Sequence, residues 1–239
     1  CSTRPRLWIW RTGCAFTALG DDLGDGIGLA NAARSDALMS HVYSAKLAAS
    51  QAATASTIGL VITPKLERFP LAIQRYDEPF LPFGKAVIQA SRALVCAYIF
   101  DFAAYLKLGA SGAIALERTI DYVGDTHVTV LHGAFALPGF VQLWDENAFG
   151  VDALTISDGV DLSAFSQRVD RAVYVVNAAL DTMPNGVGIY DTYGNQFQIN
   201  TVDGGVSTIR LAGEDVLYAS SREDYAEVLR SSLEVLKHE

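Results

Sequence analysis

Long apolar runs are missing from this sequence. No stretch of about 18 apolar residues free of charge occurs, so no membrane span is expected. Charge is sparse and leans one way: 19% of the residues are charged, with Lys+Arg 18 against Asp+Glu 27 and a net charge of -9. An acidic chain repels phosphate backbones, which argues against general nucleic-acid binding. Cysteine is limited to Cys1, Cys14 and Cys96, an odd number at no metal-ligand spacing. Neither a disulfide framework nor a zinc site is expected. No Gly-rich dinucleotide fingerprint and no P-loop is present. The reading therefore carries no cofactor and no metal.

Apolar material is plentiful: 50% of the 239 residues are hydrophobic, enough for the core of one domain. The mean hydropathy of +0.21 is high for a monomer and points to surface covered by a partner. Residues 1–34 read as an N-terminal extension and 35–239 as the folded domain. The first twenty residues carry Arg4, Arg6 and Arg11, Trp8 and Trp10, and no acid. That is the composition of an organelle-targeting segment, in a mitochondrion or plastid. It also suits a segment that docks, because two tryptophans at period 2 share one side of a strand. The Asp/Gly-rich stretch Gly20–Gly28 lacks the glutamate that closes an EF-hand and reads as a flexible loop.

A helix is predicted from Ser35 to Thr54, with Leu38, Val42, Ala45 and Ala49 as its apolar face. Short β-rich runs follow at Gly59–Thr63, Leu94–Phe100, His127–Leu131, Asp152–Ser157, Ala172–Asn177, Gly186–Asp191, Gln196–Asn200 and Val216–Ser220. Helix-length segments at Asp77–Ala93 and Gly112–Tyr122 separate the first three. The runs lack strict alternation, as strands buried on both faces should. Eight of them with helical crossovers predict an α/β (β/α)8 TIM-type barrel, an open doubly wound sheet being the alternative. Only turns fit between Asn177 and Gly186 and between Asp191 and Gln196. There the barrel is degenerate, with shortened or missing helices after strands five and six, and its sheet turns antiparallel or rearranges. The last helix is predicted to start at a Ser221 cap and to bury Tyr225, Val228, Leu229, Leu233 and Leu236.

Several segments, in order from about residue 58 to the end, resemble orotidine 5'-phosphate decarboxylases of the longer bacterial and archaeal type. They are Phe83-Gly84-Lys85-Ala86-Val87-Ile88, Leu94-Val95-Cys96-Ala97-Tyr98, Leu116-Glu117-Arg118-Thr119-Ile120, Phe149-Gly150-Val151-Asp152-Ala153-Leu154-Thr155-Ile156 and Tyr218-Ala219-Ser220. The resemblance implies a (β/α)8 barrel, a homodimer, and decarboxylation through a network of lysines and aspartates. The residues that would carry this chemistry depart from the pattern. Thr63 stands for an aspartate at the end of strand one, and Ile99-Phe100-Asp101 for the Lys-Pro-Asn of strand two. At strand three His132 replaces an aspartate, Ala134 the lysine and Leu137 the second aspartate. No lysine occurs between Lys107 and Lys237, so a small shift of register does not restore it. Around the resembled phosphate loops, Gly204 and Gly205 remain, Glu214 takes the place of an arginine, and Arg210 lies upstream.

His127 and His132, five apart on one strand, face opposite sides and do not form a joint site; a packed or hydrogen-bonded histidine is the expectation for His132. Asp152 precedes its strand and is expected as a solvated or capping carboxylate rather than a partner of Asp101. Asp181, Asp191 and Asp203 could meet at one rim, but lack a basic partner. No catalytic residue is assigned. Trp8, Trp10, Tyr190, Tyr193 and Phe197 are the candidate interaction residues. The functional expectation is a non-catalytic, decarboxylase-like structural or accessory subunit of a larger protein assembly. A ligand-binding regulatory barrel and an enzyme of diverged chemistry are the alternatives. The strands from Asn177 to Asn200, bare of helices, are expected to need covering by another chain.

Overall fold

Residues 42–165, 170–184, 186–201 and 204–238 are described in the structure, a computed structural model. The expectations for Trp8, Trp10, the Gly20–Gly28 stretch, Leu38, Asp203 and the boundary at residue 34 lie outside these residues. Eight strands close into a barrel in chain order: β1 (Ile58–Ile62), β2 (Ala97–Asp101), β3 (Val128–Phe135), β4 (Ala153–Ile156), β5 (Ala172–Val176), β6 (Val187–Asp191), β7 (Gln196–Asn200) and β8 (Val206–Ala212). Pairing is parallel from β1 to β6, antiparallel from β6 to β7 and β7 to β8, and parallel again where β8 meets β1.

Seven strands fall where the apolar runs predict them. The eighth does not: residues 216–220 are not a strand, and Glu214–Leu217 form a helical turn after Gly213. The true β8 hides because it alternates. Ile209 and Leu211 pack in the interior cluster, while Arg210 between them is exposed. A strand covered on one face only has this pattern, and a search for continuous apolar runs passes over it.

The helices are α1 (42–54), α2 (Leu71–Gln74), α3 (Phe80–Ser91), α4 (Phe102–Leu106), α5 (Ala110–Val123), α6 (Glu214–Leu217) and α7 (Tyr225–His238). Helix α3 packs against both α5 and α7. Beneath this layer lie the outward side chains of the first strands, including Leu60, Ile62, Tyr98, Phe100 and Leu131. Leu229 and Leu233 are the buried part of the α7 stripe, as predicted. Ser221 does not cap that helix. The Ser220 hydroxyl donates to the Asp224 carboxylate (2.6 Å) and accepts from the Arg222 amide (3.2 Å), and the helix begins at Tyr225.

Helix α1 crosses the barrel floor, at the N-terminal ends of the parallel strands, and presents a different face from the predicted one. Val42, Ala45 and Ala49 are exposed; Tyr43, Leu47, Ser50 and Thr54 are buried. Two hydroxyl residues disguise this stripe. Ser50 donates to the Cys96 carbonyl (2.7 Å), and Thr54 returns its hydroxyl to the Ser50 carbonyl (2.8 Å), so both are satisfied when buried. Gln51 adds a bond to the Thr208 carbonyl (2.9 Å).

Inside the barrel an aromatic column rises from floor to mouth. The Tyr43 and Tyr174 hydroxyls bond at 2.8 Å, Tyr174 packs on Phe197 and Phe197 on Tyr190, each at 4.6 Å between ring centroids, and Tyr190 meets the edge of His132 at 5.3 Å. Two glycines make the room. A Cβ at Gly188 would sit 2.5 Å from the Gln198 carbonyl and 2.6 Å from the Tyr174 ring, and one at Gly59 would strike Ile209 and Ile99.

Between β5 and β6 the described residues hold one 3₁₀ turn, Leu180–Thr182, and β6 joins β7 through the turn 192–195. The outer face of the flank beyond Asn177 differs from strand to strand: Val187 and Ile189 of β6 are apolar and buried, and β7 is polar outward. Along β7, Phe197 and Ile199 turn inward while Gln196, Gln198 and Asn200 are only half-buried on the other face, and Arg210 of β8 is exposed beside them. A polar outer face is stable in water.

Candidate functional site at the barrel mouth

The C-terminal ends of the parallel strands form the mouth, where barrels of this type carry their ligand-binding groups. Asp101 at the end of β2 stands in register with His132 of β3. Asp101 also caps α4, accepting from the Ala104 amide at 3.0 Å. Beyond His132 the register of β3 against β4 shifts between Leu131 and Phe135, and Ala134 takes a left-handed φ of 45°. A bulge of this kind costs backbone energy and has to be held.

Thr155 holds it. Its fully buried hydroxyl accepts from the Gly133 amide (3.0 Å) and the Ala134 amide (3.1 Å) and lies 2.9 Å from Nδ1 of His132. With both lone pairs engaged by amides, the hydroxyl proton goes to Nδ1, which leaves the imidazole proton on Nε2. Burial holds His132 below the ordinary histidine value, opposed in part by the Asp101 carboxylate. His132 is therefore a neutral, hydrogen-bonded group with an aromatic neighbour, as the packed reading of this residue expects.

At the seam of β1 and β8 a second cluster forms. Lys65 contacts both carboxylate oxygens of Glu214 (2.6 and 2.7 Å), and Nη1 of Arg68 reaches Oε2 at 2.8 Å. The Lys65 hydrogen bond is the main reason the Glu214 carboxyl titrates below the usual range, with Arg68 assisting. Tyr218 anchors the group: its hydroxyl donates to the Thr63 carbonyl (2.9 Å) and accepts from the Lys65 amide (2.7 Å). The Arg68 guanidinium lies 4.4 Å above the same ring, whose other neighbour is Phe83, stacked at 5.8 Å.

The remaining candidate residues are not brought together. His127 lies outside the barrel interior, bonding the Arg92 carbonyl through Nε2 and tilted against Tyr98. Asp152 is at the floor and is buried rather than solvated. It accepts from Lys46 (2.8 Å to each oxygen) and from the amide and hydroxyl of Thr129, with Arg171 at 3.6 Å. These groups line a floor cleft of about 290 Å³ together with Asp121, Asp125 and Glu146. Asp191 is consumed by its own turn, accepting from the amides of Tyr193 and Gly194. Of the candidate interaction residues, Phe197 is buried in the interior, Tyr190 lines the mouth, and Tyr193 is exposed at the β6–β7 turn. Gly204 and Gly205 follow β7, which runs antiparallel, so their loop lies at the floor end and not at the mouth. Arg210 points outward as well, bonding the Leu236 carbonyl.

Sequence reasoning missed Thr155 and the Lys65/Arg68 pair. A basic pair three apart directly after a predicted strand was the available signal for the second; nothing in sequence marks the first.

No protein-family model matches the chain. It is 32% identical over 143 residues to an orotidine 5'-phosphate decarboxylase of Herpetosiphon aurantiacus, covering 56% of this chain and 53% of that protein. It is 33% identical over 135 residues to the enzyme of the same name from Thermomicrobium roseum, covering 51% and 46%. The chain is similar to orotidine 5'-phosphate decarboxylases. It spans about half the length of these curated relatives. In three dimensions it is similar to a protein from Streptomyces avermitilis described as a putative orotidine 5'-phosphate decarboxylase. The TM-score is 0.60 at 12% identity, over 82% of this chain and 93% of that one. At that identity the likeness is one of fold, and it agrees with the closed eight-strand barrel.

Proposed function

We propose that the chain is a decarboxylase-like barrel without decarboxylase activity, serving as a structural or accessory subunit of a larger protein assembly. The mouth end of β3 carries this reading. Where the resembled decarboxylases use a lysine ammonium to protonate a carbanion, this chain has Ala134, in a left-handed bulge tied to Thr155. A methyl group has no proton to give. Lys65 at the rim is already paired with Glu214, and the sequence holds no lysine from 108 to 236. Members of a cooperative catalytic network are not additive, and losing one commonly costs several orders of magnitude in rate. The high mean hydropathy of +0.21 and the Arg/Trp-rich first twenty residues support a role in association.

The test is an assay of the purified full chain with orotidine 5'-phosphate, following release of carbon dioxide. No turnover is expected. A rate within a hundredfold of the enzyme median of about 10 s⁻¹ would overturn the reading. Gel filtration of the native source material tests the assembly: elution of the protein as a monomer would remove that half of the proposal.

A further inference from the structure

At the floor, the opposite end of the barrel from the mouth, α1 ends against the start of β1. Ala55 takes a left-handed φ of 47° and turns the chain, and the Ser56 amide returns to the Gln51 carbonyl (3.2 Å). The turn sets Ser56 and Thr57 beside β8, where Arg210 stands in register with Ile58. Helix α7 brings Lys237 to the same place. Gln51, Ala55, Ser56, Thr57, Arg210 and Lys237 line one cavity of about 350 Å³, and none of the six is acidic. The chain carries Asp+Glu 27 against Lys+Arg 18, so two cations sharing a cavity without a carboxylate reverse its charge locally.

The cations are held in place but not neutralised. Lys46, Lys65, Arg68 and Arg171 each meet a carboxylate. Among the described residues, Arg210 and Lys237 meet none. Lys237 donates to the Thr54 carbonyl (2.7 Å), and Arg210 donates to the Leu236 carbonyl (3.1 Å) and the Thr57 hydroxyl (3.4 Å). These bonds leave N–H donors on both groups. Ser56 adds a buried donor. It is 7% exposed, its oxygen accepts from the Ile58 amide (3.1 Å), and its proton meets no acceptor among the described residues.

We propose that this floor cavity binds a phosphate group, held by Arg210 and Lys237 with the Ser56 hydroxyl as a third donor. Two cations suit a dianion, and the planar guanidinium matches two oxygens of a phosphate. The volume is in the range of small-molecule sites, which leaves room for the organic part of a phosphomonoester beside Gln51 and Thr57. Gln51 is itself fixed, bonding the Thr208 carbonyl (2.9 Å) and accepting from the Ser207 hydroxyl (3.3 Å). A phosphate here would tie together the end of α1, strand β8 and α7. The site does not depend on whether the barrel turns over a substrate.

The experiment uses the full chain, with inorganic phosphate and glycerol 2-phosphate as probes and ionic strength held constant by chloride. Isothermal titration and ligand-dependent melting are measured on wild type, Arg210→Gln, Lys237→Gln and, as a control at the mouth, Lys65→Gln. Glutamine keeps a donor for the carbonyls and removes the charge. Wild type is expected to bind saturably and to melt higher with ligand. Arg210→Gln and Lys237→Gln are each expected to bind at least about tenfold more weakly. Lys65→Gln should bind as wild type does. Binding of either probe in this pattern supports the site, and the tighter of the two shows whether the ester body contributes. Should the floor variants fail to fold, amide shifts of ¹⁵N-labelled wild type decide: those of Ser56, Thr57 and Arg210 should move with the affinity found by titration. No saturable binding, binding unchanged in both floor variants, loss of binding in Lys65→Gln alone, or floor amides that stay still would each overturn the proposal.

Discussion

The two sides of the barrel solve the same covering problem differently. On β1 to β3 the outward residues Leu60, Ile62, Tyr98, Phe100 and Leu131 are fully buried in the outer core, beneath the layer of α3, α5 and α7. On β7 and β8 the outward positions include Gln196, Gln198, Asn200 and Arg210, and β6 joins β7 through a turn, while α6 and α7 follow β8. The first side must have its helices because its strands are apolar on both faces; the second can face water because its strands alternate. Both sides share one interior, to which β6, β7 and β8 contribute Tyr190, Phe197 and Ile209.

Truncation should separate the two sides most sharply. Phe100→Ala removes a fully buried ring from beneath the helix layer and is expected to cost about 3–5 kcal/mol, measured by denaturant unfolding. A loss under about 1 kcal/mol would mean that the helix layer is loosely packed. Next comes the shared interior. Gly188→Ala places a Cβ against the Gln198 carbonyl and the Tyr174 ring, and a loss of about 1–3 kcal/mol is expected. Unchanged stability there would show that β6 and β7 shift apart easily and that the column is not rigid.

Acid sensitivity should trace to the two histidines of the helix-backed side, His127 just before β3 and His132 within it. Burial holds both His127 and His132 below the ordinary value of 6.5. The unfolded chain then binds more protons than the folded one as pH drops through that value. Their contribution to stability is present above about 6.5 and is lost as pH falls toward the folded pKa values. Melting temperature measured from pH 7.5 to 5.5 should fall, and it should fall less steeply in His132→Gln and in His127→Gln. An unaltered slope in both variants would move the proton uptake elsewhere. The smallest effect belongs to the outer face of β7: Gln198→Ala should change stability by no more than about 0.5 kcal/mol. A larger loss would show that this face is covered, and would support the expectation of a partner there.

The legible part of the fold was the helix-backed side. Runs such as Ala97-Tyr98-Ile99-Phe100 are apolar on both faces, and a pattern of this sort reports burial directly. The α7 stripe was legible for the same reason, since Leu229 and Leu233 bury no polar group. What failed to show were elements whose burial is polar or one-sided. The α1 face hid behind Ser50 and Thr54, which are buried only because the Cys96 and Ser50 carbonyls accept their protons. At the mouth, the loss of a lysine at Ala134 could be read from the chain. The role of Thr155 could not, because its three partners are 21 to 23 residues away and meet it only across a paired strand.

The amino-acid sequence by itself determined the composition of the core, seven of the strands, and which charged groups are absent from the third of them. Those are local properties: side-chain hydrophobicity, chain length between turns, and residue identity. The short connections announced an antiparallel or rearranged sheet, and tertiary structure decided which strand reverses, β7 and not β6, and with it which loops face the mouth. Reversing one strand carries Gly204 and Gly205 to the floor and leaves Glu214 beside Lys65 and Arg68 at the rim. Strand direction follows from closing eight strands into one barrel with connections too short for helices, a constraint of the whole sheet rather than of any segment in it.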